Sequence, residues 1–205
     1  MIPLALLTEA GVGLTMTLAV SAIMMGMLVV GPFFLTSGLG LSPAKMGLAM
    51  SAGPIMAALS GWPAGRVTER LDADRALSLG LVVMIAGTAG LAGLPLALGT
   101  AGFLLGFVTL TPGYQLFLAA LNTSLLTRAP KAERGRISGL LTLSRNLGFV
   151  LGAGAMAALF QTFPDPRAGM TGTFLVAALL ATLALALHRL ATPRALTAAQ
   201  GPPRA

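Results

Sequence analysis

Cysteine is absent from all 205 residues, which excludes disulfide frameworks, thiolate metal sites and cysteine nucleophiles. Charge is nearly as scarce: 9% of residues are Asp, Glu, Lys or Arg, against about 25% in ordinary soluble chains. Aromatics make up 5%, with one Trp and one Tyr, so the aromatic girdles and alternating pattern of an outer-membrane barrel are missing. A basic segment ahead of the first apolar run is missing too. MIPLALLTEAG meets Glu9 and stays apolar beyond it, unlike a cleavable signal.

What remains is apolar. Hydrophobic residues make up 56% of the chain and the mean hydropathy is +0.87. With Leu, Ala, Gly and Met dominating, this is the composition of a helical membrane protein whose first partner is the lipid bilayer. The net charge of +7 does not imply nucleic acid, because the basic residues stand at the ends of apolar runs and not on one face of a soluble domain. No cofactor and no metal are expected, and no nucleophile–base constellation points to an enzyme.

About 20 apolar residues cross a hydrocarbon core of about 30 Å as a helix, so the gaps between charges count the spans. Residues 10–44 are charge-free but end in the turn-rich GPFFLTSGLGLSP, leaving one span at about 11–35. Ser42 and Pro43 then open a second at about 46–65. Residues 76–127 carry no charge, which is room for two spans, about 76–94 and 98–126, with the break near Pro95 and Gly99. Two more follow at about 137–160 and 172–187, and residues 191–205 read as a disordered tail. The expected fold is therefore all-α with six transmembrane helices. The loops at 66–75 and 127–136 and the tail hold ten basic residues against Lys45 and Arg167 on the other side. By the positive-inside rule both termini are expected in the cytoplasm of an inner (plasma) membrane protein.

One stretch, GWPAGRVTERLDADRAL at 61–77, gathers Arg66, Glu69, Arg70, Asp72, Asp74 and Arg75. GRVTERLDADR resembles the loop motif G-x-x-x-D-R-x-G-R-R of the major facilitator superfamily. Gly65 stands for the glycine, Glu69 for the aspartate, Arg70 for the arginine and Arg75 near the final basic pair. Asp72 and Asp74 depart from it, replacing a glycine and a basic residue. ERGRISGLLTLSRNLGFVLGAGAMAALF and LSPAKMGLAMSAGPIMAALSGWPAGRVTER also resemble spans of proton-driven multidrug exporters, and together the likeness covers about 160 of the 205 residues. The fourth span lacks the arginine, and Gly148 to Gly154 lacks the proline, expected of a first half.

The resemblance therefore implies a C-terminal half: six helices in two inverted repeats of three, exporting small molecules against protons. It implies a partner, either a separate N-terminal half or a second copy. The alternative is a truncated half that inserts and transports nothing. The resemblance also implies a latch at Gly65, Glu69, Arg70 and Arg75, with the bland reading that these are solvated charges.

Arg145 is the one charge deep in a span, and burying it costs at least about 2.5–3.5 kcal/mol unless it meets a cavity, a partner or, by snorkelling, water. Asn146 adjoins it. Tyr114, Gln115 and Asn122 lie along the fourth span, the last two on one face, and fit either a substrate cavity or interhelical hydrogen bonding. Met24, with Met16, Met25 and Met27, fits either an adaptable ligand wall or plain packing. Glycine pairs four apart, such as Gly61/Gly65 and Gly148/Gly152, read as helix contacts. Glu9 is the nearest acid for proton coupling, and His188 reads as complementing a helix end.

Overall fold

A computed structural model describes the backbone of residues 4–199 and the side chains of residues 10–191. Within it every long element is helical: α1 Leu4–Phe33, α2 Pro43–Leu71, α3 Ala73–Arg128, α4 Arg134–Gln161 and α5 Pro166–Ala199. A wider helical turn, Phe34–Gly38, continues α1. Glu9 and most of the stretch read as a tail carry no described side chains. The backbone nevertheless stays helical to Ala199, past residue 191 where the tail was expected to begin, and this places His188 inside α5 and not at its end.

Five helices stand where six separate spans were expected, because α3 is one 56-residue element. Straight, it would measure about 84 Å at 1.5 Å per residue, almost three bilayer cores. It is not straight. Gly99 has φ 55 and ψ −129, a backbone open mainly to glycine, and the chain turns back there. Gly102 abuts Leu94, Gly106 abuts Leu91, Gly87 abuts Leu110 and Gly80 abuts Phe117, so each contact pairs positions equidistant from the turn. A side chain at any of these glycines would overlap the opposite arm. The two arms thus form an antiparallel pair held at backbone contact.

Among the described residues four helical segments are long and apolar enough to cross a membrane: Ala10–Gly38, Ala73–Arg128, Lys131–Gln161 and Pro166–Ala191. α2 falls short on apolarity, with Pro54 and Pro63 inside it and Arg66, Glu69 and Arg70 in its last two turns.

The stretch 66–75 is not the loop expected from its charge. α2 runs through it to Leu71 and α3 starts at Ala73, leaving Asp72 as the whole connection, at φ 69 and ψ 139. Arginine and glutamate are good helix formers, and only the aspartate breaks the run.

α1 packs most closely on α4. Gly148 and Gly152 lie against the backbone at Leu18 and Ala22, Gly26 accepts Met156, and Ser144 Oγ donates to the Leu14 carbonyl at 2.6 Å. α2 rests on the second arm of α3, where Gly53 faces the Phe107 ring and Gln115 Nε2 donates to the Ala57 carbonyl at 3.3 Å. α5 joins the first arm through Thr171 Oγ1, which donates to Ala92 at 2.8 Å. Phe34, Phe103 and Phe107 form a buried aromatic row with centroids 6.2 and 6.0 Å apart.

Candidate functional site

Three short polar stripes converge between α1, the second arm of α3 and α4. On α1 they are Thr17 and Ser21; on α3, Tyr114 and Asn122; on α4, Ser138, Thr142 and Arg145. Helical spacings of three, four or eight put each set on one face of its helix. Between them opens a cavity of about 270 Å³, lined by Thr17, Asn122, Ser138, Thr142 and Arg145 with Leu118, Leu121, Leu126 and Leu141. Arg145 lies eleven residues, or about 16 Å, inside α4 from Arg134.

The polar atoms have specific tasks. Thr17 Oγ1 donates to Gly13 at 2.8 Å, Thr142 Oγ1 to Ser138 at 3.0 Å and Asn122 Nδ2 to Leu118 at 2.8 Å, all carbonyls of their own helices. The two threonines thereby spend their only donors and keep acceptor lone pairs for the cavity, while Asn122 keeps its amide oxygen and one N–H. The Arg145 guanidinium has no ion pair or hydrogen bond among the described residues. Tyr114, almost wholly buried, faces the Ser21 hydroxyl and lies within the field of Arg145.

The structure therefore brings Asn122 and Arg145 together at the cavity, with Tyr114 behind them. It does not bring the other candidates there. Gln115 points to α2 and ties two helices. Asn146 is exposed on the far side of α4 from Ser144, which packs on α1. Met24 is a core residue, as are Met16 and Met27, so the methionines of α1 pack the bundle. Thr17, Ser138 and Thr142 were missed by sequence reading; the 138–142–145 spacing on α4 is an unread signal that could have found two of them.

At the charge-rich end a second polar group forms. Asp74 Oδ2 meets Arg128 at 2.8 Å, Asp74 Oδ1 accepts from Ser124 at 3.3 Å, and His188 Nε2 lies 3.2 Å from the Asp74 carbonyl. These contacts join both ends of α3 to α5. Glu69 and Arg70, the expected latch pair, are adjacent on one helix, so they diverge, and both are exposed. Neither they nor Arg75 make an ion pair among the described residues. Glu69 also sits at the C-terminal end of α2, where the helix dipole does not favour a carboxylate. Gly65 is open, with no heavy atom within 4 Å of the position a Cβ would take. Asp74, the departure from the motif, makes the bridge instead.

A broader, exposed cavity of about 690 Å³ lies at the opposite end, between the α1–α2 connection and the start of the second α3 arm, and includes Lys45 and Thr100. It holds none of the predicted residues. Among the described residues no cluster of His, Asp or Glu is placed to hold a metal.

Residues 5–205 match the profile of the Major Facilitator Superfamily. The chain is 31% identical over 165 residues to an uncharacterized transporter, YebQ, of Escherichia coli strain K12, covering 80% of this chain and 36% of the relative. It is 26% identical over 137 residues to the multidrug efflux pump LfrA of Mycolicibacterium smegmatis, covering 65% of this chain and 27% of that protein. The chain thus spans about a third of the length of these curated relatives.

Proposed function

The chain belongs to the Major Facilitator Superfamily, a membrane transport family, and from that premise we propose that it forms the C-terminal half of a drug:proton antiporter exporting amphiphilic small molecules. One observation carries the reading: a cavity in which polar groups from α1, α3 and α4 stand beside leucines, apart from the polar group at Asp74. Such a wall suits ligands with an apolar body and a few polar groups. The reversal at Gly99 supports counting α3 as two crossings, which with α1, α2, α4 and α5 makes six, or two repeats of three rocking about a central site. The name of the LfrA relative supports efflux. Ten basic residues against two support cytoplasmic termini.

The cavity's volume is just under the roughly 300–1,000 Å³ of complete ligand pockets. That, with coverage of 36% and 27% of the two relatives, favours a site completed by a second bundle, either a separate half or a second copy. Among the described residues no acid lines the cavity, so in this reading the coupling acid comes from that second bundle.

Accumulation of a fluorescent amphiphile in cells, with the gene present, deleted, or carrying Asn122→Trp to fill the cavity, tests the proposal. Higher accumulation on deletion, reproduced by Asn122→Trp at normal membrane levels, is the expected result. Unchanged accumulation in both, with only monomers after cross-linking in native membranes, would leave an inserted half that transports nothing.

A further inference from the structure

From the donors and acceptors around the cavity we infer that this face of the bundle selects organic anions, with Arg145 as the residue that reads the negative group. The inference rests on the transport reading above and narrows its substrate class. Among the described residues Arg145 is the cavity's one formal charge and has no ion pair; Glu133, five residues before Ser138, lies 3.9 Å from Arg136, and Asp74 is engaged with Arg128 at the charge-rich end. A guanidinium carries five N–H donors in a planar fork that matches a carboxylate, sulfonate or phosphate. The surrounding hydroxyls of Thr17 and Thr142 present acceptors, because their donors are committed to helix carbonyls, and Asn122 adds its amide oxygen while one of its two N–H groups is held by Leu118.

An anion therefore finds its counter-charge here, and hydroxyl or N–H groups on its body find lone pairs. A lipophilic cation finds acceptors but also the positive charge of Arg145, with no acid among the described lining residues to offset it. The leucines accommodate an apolar body. The recognised class is thus an amphiphile with one negative head and a hydroxylated or N–H-bearing body.

The test measures binding of three dansyl amides to the purified full-length chain in lipid nanodiscs: one ending in a sulfonate, one in a trimethylammonium and one in a neutral hydroxyl. The sulfonate is expected to bind at least about tenfold more tightly than the ammonium. Arg145→Gln should weaken the sulfonate about tenfold or more, leave the neutral probe within about twofold and lift the ammonium; Arg145→Lys should restore part of the sulfonate affinity. Asn122→Trp should weaken all three by filling the cavity.

Equal binding of sulfonate and ammonium, or a sulfonate affinity indifferent to Arg145→Gln, overturns the anion inference. If Asn122→Trp still blocks the probes in that case, the cavity reading survives alone. If no probe responds to Asn122→Trp, both fall.

Discussion

Asp72 connects two helices from a conformation that non-glycine residues rarely adopt. The motif that this stretch resembles has glycine at this point, the residue to which such a φ is open without strain. Asp72→Gly should raise stability by about 1 kcal/mol, since relief of roughly 1–3 kcal/mol of strain is partly offset by the greater freedom of an unfolded glycine. Asp72→Val should lower it, and thermal unfolding in detergent compares the two. Asp74 lies two residues on, half-exposed, bridging Arg128 and standing in the first turn of α3. Asp74→Asn should cost about 1–2 kcal/mol, from a partly exposed pair and a lost helix-terminus charge, and the cost should shrink at high salt. Equal loss at low and high salt would show that packing and not charge is at work.

At the scale of elements, glycines with the same spacing have opposite surroundings. Gly148 and Gly152 press on the α1 backbone, whereas Gly135 and Gly139, earlier on the same helix, meet nothing within 4 Å. Gly152→Leu should destabilise by about 3 kcal/mol or more through overlap, while Gly139→Ala should stabilise by up to about 1 kcal/mol from helix propensity alone. Unfolding of the two variants side by side checks the contrast.

Spacing alone cannot make this distinction, because contact depends on which helix lies opposite. The reversal at Gly99 was legible, since a charge-free run of more than 50 residues is too long for one crossing. The helical path of 66–71 was not, because charge suggested a loop where propensity allowed a helix. Asn122 and Arg145 were each legible as polar residues in apolar runs. Their meeting was not, for it depends on how α3 and α4 pack.

For the whole molecule, the lack of cysteine allows single cysteines to report sidedness without background. Lys131→Cys and Arg70→Cys should react with a membrane-impermeant maleimide only in inside-out vesicles, and Lys45→Cys and Arg167→Cys only in intact cells. Labelling of all four from one side would remove the proposed topology.

The single-residue joint at Asp72 also has a mechanical meaning. Leu71 and Ala73 are at most about 7 Å apart along the chain, so the facing ends of α2 and α3 cannot part during any cycle of movement. Arg128 and His188, both in contact with Asp74, tether the far end of α3 and α5 to the same point. At this end α2, both arms of α3 and α5 are therefore bound to one point, like the closed end of a pair of tongs. The opposite end is joined differently, for there α1 and α2 are linked by the longer Leu39–Ser42 connection and not by a single residue.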